Sequence, residues 1–233
     1  GALVLLGLIM ILSASSVSSF ATYGSSFLFF NKPLMGGGGG LAGFVFFSRY
    51  DYRKLKGKGF FLLPAVGVLL IAVLIPGVGI SAGGSARWIG AGPLAFQPSE
   101  LAKLALILFL ADVFSRKEES TLQELSHTLL PFAPVLGTLA LLVMLQPDMG
   151  TTLLMGSIGL GMLFAAGAPL RYILPMGALG AAGAVGAALS ADYRRERVLA
   201  FMDPWADPLN TGYHTIQSLI ALGSGGWLGV GLG

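Results

Sequence analysis

The sequence has no cysteine and few charges. Without cysteine, neither a disulfide framework nor a thiolate metal site is possible. Asp, Glu, Lys and Arg make up 11% of the 233 residues, where soluble domains carry about 25%. The chain is instead 55% hydrophobic, with a mean hydropathy of +0.80. A soluble core of this length could not hide that much apolar surface, so the composition reads as an integral membrane protein. The apolar opening, residues 2–12, lacks a basic leading region, and more apolar runs follow, so it reads as a span and not as a signal peptide. The chain starts at Gly1 without Met, which leads us to expect that it is cut at its front.

A helix needs about 20 apolar residues to cross the hydrocarbon. Candidate spans cover residues 2–13, 33–47, 60–75, 98–114, 129–145, 151–166 and 173–189. Serines 13–19 form an exit from the first. The second contains five consecutive glycines, Gly36 to Gly40, which are poor helix material. Residues 77–97 read as a loop from their glycines. Arg49, Arg53, Lys54, Lys56 and Lys58 face only Asp51 in charge, and this basic loop marks the cytoplasmic side. Counted from it, Arg116, Lys117 and Arg171 fall on the same side and the N-terminus is inside. Residues 77–97, the surroundings of Asp148 and residues 193–233 fall outside. Arg194, Arg195 and Arg197 break the pattern. Arginines on the outer face either meet an anionic partner such as phosphate or pair with Asp192, Glu196 or Asp203.

Three constellations carry polar chemistry. In the first, Arg87 precedes Gln97-Pro98-Ser99-Glu100-Leu101-Ala102-Lys103. Pro98 suits a first helical position and Glu100 suits the positive end of the helix dipole. Glu100 and Lys103 share a face at i,i+3. An ion pair at membrane depth should face the bundle interior or a watered cavity. The pair is therefore either a packing pair or the floor of an outward pocket with Arg87 above it. The second is Gln146-Pro147-Asp148-Met149-Gly150-Thr151-Thr152, where Asp148 either caps the next helix or biases the pocket and helps hold a cation. The third is the last stretch, with Asp203-Pro204, Asp207-Pro208 and the run Tyr213, His214, Gln217. An aspartate among arginines suits a group-transfer base beside a diphosphate site. The plainer alternative is that both Asp-Pro pairs form turns.

The stretches GGSARWIG, FQPSELAKLALILFLA, LQPDMGTT and YRRERVLAFMDPWADPLNTGYHTIQSLIALGSGGWLGVGLG occur in that order. Together they resemble the SEDS family (shape, elongation, division and sporulation) over nearly the whole chain, with PWADP and GVGLG nearest its FtsW/SpoVE branch. One departure is the glycine run Gly36 to Gly40, where the family places bulky apolar residues. The resemblance implies an all-α polytopic membrane protein, a single domain over residues 1–233. About seven transmembrane helices of a ten-helix fold would be present, with residues 191–233 as a long extracellular catalytic loop. The chain would then be partial, ending before the last three helices.

The resemblance further implies a peptidoglycan polymerase in the bacterial cytoplasmic membrane, with its active site on the outer face and lipid II as substrate. The implied partners are a cognate class B penicillin-binding protein, membrane lipids and other divisome or elongasome proteins, with no nucleic acid. The family's essential extracellular aspartate falls on Asp207, not on Asp203. The implied substrate-binding set is Arg87, Glu100, Lys103, Asp148, Arg194, Arg197, Gln217 and Ser218. No cofactor is required. A divalent cation, Mg or Mn, is compatible with the chemistry, but no ligand cluster compels one. Two other classes use the same residues differently. A lipid II flippase would line a headgroup path with Glu100, Lys103 and Asp148, and a non-catalytic divisome scaffold would not need Asp207.

Overall fold

The computed structural model describes residues 2–23, 28–82, 85–90, 95–117, 124–190, 192–226, 229 and 231. For residues 16–23, 28–33, 82, 125–129, 192–194, 197 and 198 it describes the backbone alone. Contacts divide the chain, read above as one domain, into two compact units. One holds Tyr52–Ser190; the other holds Gly1–Asp51 with Ala191–Gly233.

The first unit begins with a 3-10 helix, Tyr52–Leu55, followed by α3, Gly59–Leu74, then β1 (Ile80–Ala82) and β2 (Ser85–Trp88). Four helices complete it: α4 (Pro98–Phe114), α5 (Leu125–Met144), α6 (Met149–Ala165) and α7 (Leu170–Leu189). The apolar runs dictate these helices, because backbone polar groups in hydrocarbon must be satisfied within the segment. Helix α4 is the hub: it packs on α3, α5 and α6. Ala102, Ala105, Leu106, Phe109 and Leu110 of α4 are buried with Val66 and Leu70 of α3, Phe132 and Val143 of α5, and Met155 and Leu163 of α6. Close approach needs small residues at two crossings. A Cβ on Gly59 would lie 2.6 Å from the Phe109 amide nitrogen, and one on Gly159 would lie 2.8 Å from the Phe132 ring. Where lipid replaces water there is little hydrophobic drive between helices, so such fitted contacts carry the association.

In the second unit, α1 (Ala2–Tyr23) packs on α2 (Leu28–Arg49). Near the end of the chain, α8 (Asp192–Met202) leads into a 3-10 helix, Pro204–Ala206, and then α9, Tyr213–Gly225. The outward faces of both units are apolar. Phe44, Phe61, Leu130, Leu174 and Leu179 are each at least 66% exposed. A protein surrounded by water does not expose so many large side chains together. By length and composition alone, one helix among the described residues, Leu170–Leu189, is long and apolar enough to cross a membrane. The 17-residue α6 extends about 25 Å against about 30 Å of hydrocarbon.

Helix α2 runs through Gly36 to Gly40 as the span expected over residues 33–47 does, since local hydrogen bonding outweighs glycine's backbone freedom where water does not compete. The chain departs from the sequence expectations in three places. Helix α1 does not exit at the serines: Ser15 Oγ donates to the Ile11 carbonyl at 2.7 Å, which settles the hydroxyl inside the helix. The 77–97 loop contains a hairpin, with Ser81 opposite Ala86 and Ala82 opposite Ser85, and a further bridge joins Ile89 to Phe96. Gly79 lets the hairpin turn in, because a Cβ there would strike the Val73 carbonyl. Residues 191–233, expected as a loop, contain two α-helices.

Candidate functional site

Two polar centres stand out, one in each unit. In the Tyr52–Ser190 unit, Pro98 begins α4 and Glu100 lies in its first turn. The Lys103 Nζ to Glu100 Oε1 distance is 2.8 Å, the pair that the i,i+3 spacing predicts. Lys103 is mostly buried, whereas the Glu100 side chain is 59% exposed. Asp148 is the N-cap of α6: its Oδ1 accepts the Thr151 amide at 3.1 Å and its Oδ2 the Thr151 hydroxyl at 2.9 Å. Gln97 Nε2 donates to the same carboxylate at 3.1 Å. Arg87 Nη1 lies 3.9 Å from Asp148 Oδ2. The cap expected of Asp148 is therefore present, and the structure adds bonds to two other chain segments.

Arg87 is held equally firmly. Its Nε donates to Ser85 Oγ at 2.9 Å and the Gln146 carbonyl at 3.2 Å, and Nη2 donates to the Pro147 carbonyl at 2.8 Å. Ser85 Oγ also donates to the Gln146 carbonyl. The hairpin is thus fastened to the α5–α6 turn through one guanidinium, which remains about one third exposed. Below it, Gln146 is buried and its Nε2 donates to the Leu70 carbonyl at 3.2 Å. Ser85 and Gln146 carry this fastening, and sequence reasoning gave neither a role. Gln146 sits at a turn and Ser85 opens β2, and both lie in polar motifs, which is the signal available for them.

Asp112 is buried on α4, and its carboxylate meets Arg116 at 2.8 Å. An acidic group inside a helix bundle needs such a partner.

The second centre is the turn between α8 and α9. Asp203 accepts the Trp205 amide at 3.2 Å and so starts the short 3-10 helix. Asp207 follows that helix, and its carboxylate takes three hydrogen bonds from the next turn. Asn210 Nδ2 donates to Oδ1 at 3.1 Å, while the Thr211 amide and hydroxyl donate to Oδ2 at 3.3 and 3.2 Å. The Asp207 carbonyl accepts the Gly212 amide at 2.9 Å, and Gly212 has no room for a side chain against the Pro204 carbonyl. Both Asp-Pro pairs therefore do form turns. These hydrogen bonds, that of the Thr211 amide first, hold the Asp207 carboxyl below the usual carboxylate range. Asn210 and Thr211 were not foreseen, although Asp followed at i+3 and i+4 by Asn and Thr is the pattern of a side-chain-closed turn.

Asp207 and Thr211 line a cavity of about 530 Å³ together with Glu196, Leu199, Met202 and Asp203. That volume is within the usual range for small-molecule clefts. Its α8 wall is apolar apart from Glu196, and Asp203 and Asp207 make the turn side acidic. Among the described residues, no three His, Asp or Glu side chains form a metal-ligand set. Both Asp207 oxygens already accept hydrogen bonds from the turn. Of the three arginines expected on the outer face, Arg195 is exposed, while the side chains of Arg194 and Arg197 lie outside the described residues. Gln217 and Ser218 are exposed on α9, and Ser218 Oγ donates to the His214 carbonyl at 2.7 Å.

Known proteins match this chain throughout. The family model described as "Cell cycle protein", covering FtsW, RodA and SpoVE, matches residues 1–233. Stage V sporulation protein E of Bacillus subtilis is 39% identical over 99% of this chain and 63% of its own length. The probable peptidoglycan glycosyltransferase FtsW of Geobacter metallireducens is 39% identical over 100% of this chain and 62% of its own. Among solved structures, one from work on the structural coordination of polymerization and crosslinking by a peptidoglycan synthase complex matches at a TM-score of 0.63. It is 34% identical over 95% of this chain and 66% of its own. A point-mutant form of the rod shape determining protein RodA of Thermus thermophilus matches at 0.56, 28% identical over 79% of this chain and 59% of that one. The chain thus spans a little over three fifths of the length of these curated relatives.

Proposed function

The chain belongs to the cell cycle protein family of FtsW, RodA and SpoVE, and from that premise we propose that the complete protein is a peptidoglycan glycosyltransferase that polymerises glycan strands from lipid II. The observation that carries this reading is the Asp207 carboxylate. It is kept ionised and oriented by Asn210 and Thr211, and it lines a cavity large enough for part of a sugar chain.

In this reading, Asp207 accepts the proton of the GlcNAc 4-hydroxyl on the acceptor. The freed oxygen attacks the anomeric carbon of the lipid-linked donor, the new glycosidic bond forms, and undecaprenyl pyrophosphate leaves with the electron pair of the broken bond. An α-linked donor and a β-linked product require a single inverting displacement, so one base suffices and no covalent enzyme intermediate forms. Cations stabilise the charge that gathers on the departing diphosphate. Arg194 and Arg197, on the same stretch as Asp207, are the proposed contacts; Arg87 and Lys103, held by Asp148 and Glu100, are proposed separately as substrate-binding residues. Gln217 and Ser218 are the proposed sugar contacts. Among the described residues no three His, Asp or Glu side chains form a ligand set for Mg or Mn.

The membrane reading extends this proposal. About seven spans, the N-terminus in the cytoplasm and the Asp207 turn on the outer face of the bacterial cytoplasmic membrane would place the base where lipid II is presented. A class B penicillin-binding protein would cross-link the product, with other divisome or elongasome proteins nearby. The deciding experiment uses the complete protein with its transpeptidase partner in liposomes containing lipid II. Asp207→Ala should abolish glycan polymer while membrane insertion is unchanged. Undiminished polymer from that variant removes Asp207 from the base role. Headgroup translocation by the wild type without polymer would assign transport instead.

A further inference from the structure

The sequence between α2 and α3 is strongly basic, and its role above was only to orient the chain. Within residues 52–61, YRKLKGKGFF, there are four cations and no acid. The structure gathers them into one small surface. The 3-10 helix Tyr52–Leu55 is followed at once by a turn in which the Lys56 amide donates to the Arg53 carbonyl and the Lys58 amide to the Leu55 carbonyl. Gly57 permits this reversal with φ of +80°. Arg53, Lys54, Lys56 and Lys58 are all exposed.

Aromatic rings are interleaved with these charges. Tyr52 is 74% exposed and Phe61 81% exposed. Phe61 begins the apolar length of α3, whose outward side chains Val68 and Ile71 continue the surface at 66% and 51% exposure. A second helix adds to the same end of the unit: Arg116, at the end of α4, lies 5.8 Å from the centre of the Phe60 ring. The nearby acids do not outweigh the patch: Asp51 is one charge against four cations, and Asp112 is 3% exposed and paired with Arg116.

We propose that Arg53, Lys54, Lys56 and Lys58, with Tyr52 and Phe61 as ring anchors, bind the headgroups of anionic phospholipids where α3 meets the membrane surface. Clustered cations next to an apolar helix attract anionic headgroups, and exposed aromatic rings settle at headgroup level. Continuity with the apolar face of α3 favours lipid over an acidic protein segment, which would cover the cations but not Val68 and Ile71. The inference rests on the reading of α3 as a membrane helix and does not depend on the polymerase reaction.

The test is native mass spectrometry of the complete protein released from nanodiscs of mixed phosphatidylglycerol and phosphatidylcholine. The wild type should retain phosphatidylglycerol preferentially, and the preference should fall as salt rises. The variant R53Q/K54Q/K56Q/K58Q should lose it, roughly fivefold per cation removed. R53K/K54R/K56R/K58R, which keeps the charge, should retain it. If the neutral variant does not insert, the wild-type salt titration and the charge-preserving variant decide the matter. Equal retention of both lipids by the wild type, or a preference unchanged by salt or by neutralisation, overturns the proposal. So does displacement of the lipid by an acidic peptide at equal concentration. Failure of the wild type to enter nanodiscs would overturn the membrane reading itself, whereas entry without lipid preference overturns this inference alone.

Discussion

Asp148 and Asp207 both stand beside a proline, both shape a turn, and both accept three side-chain or amide hydrogen bonds, yet their partners come from different distances along the chain. Asp148 takes Gln97 from 51 residues away and Thr151 from its own helix. It also has Arg87 within 3.9 Å, and it is 8% exposed. Asp207 takes all three bonds from residues three and four positions on. A carboxylate bound to remote segments fastens tertiary structure and is spent in doing so. One held by its own turn is oriented without being enclosed. The comparison separates an acid tied to distant segments from one left open when residue type and neighbouring proline do not.

The largest expected effect tests the available side. Asp207→Asn in the complete protein should lower polymerisation by about 10²–10⁴-fold while the thermal midpoint falls much less than it does for Asp148→Ala. A matched fall in thermal midpoint would erase the distinction between the two aspartates. Asp148→Ala is the converse experiment. It removes the α6 cap and leaves Gln97 and Arg87 without their partner, so thermal or denaturant unfolding should show a loss of about 2–3 kcal/mol. An unaffected unfolding curve would show that the fastening does not need this carboxylate.

Thr211→Val sharpens the comparison through pH. The Asp207 carboxyl is depressed in the folded state, so its contribution to stability is present above the ordinary carboxylate pKa. That contribution is lost as pH falls through the lower folded value. The proposed base therefore stays ionised down to acidic pH, and the acid limb of the rate profile should lie below the ordinary carboxylate pKa. Removing the Thr211 hydroxyl should move that limb upward, and Thr211→Ser should restore it. An acid limb that does not move would mean the hydroxyl has no part in holding the charge. The smallest effect is Glu100→Gln. Because Glu100 is 59% exposed, losing its pair with Lys103 should cost about 0.5 kcal/mol or less. Reduced polymer yield without loss of stability would assign the pair to substrate, and unchanged yield would leave it as a helix pair.

Most of the helical fold was legible in the sequence. The helix over residues 98–114 has the expected bounds because Pro98 can start a helix and Gln97 cannot continue one backwards. Helix α3 agrees within a residue at each end. The second helix was legible as an apolar run over residues 33–47 although its glycines argue against a helix. The hairpin was not legible, because β1 and β2 are short strands that become regular only by pairing. For the site, the Glu100–Lys103 pair and the Asp148 cap were visible because both are local. The grip of Arg87 on Gln146 and Pro147 was not, since its partners are 59 and 60 residues away.

The sequence by itself determined a lipid-facing helical chain, the family, and a short set of polar residues from which any chemistry must come. Apolar run length and motif order suffice for those, because both are properties of neighbouring residues. Only the tertiary structure decided which of those charges are tied to distant segments. Arg87 and Asp148 are drawn into a knot joining the hairpin, α4 and α6, whereas Asp207 keeps an open side. That division depends on which groups from distant segments come within hydrogen-bond reach, and folding alone sets those distances.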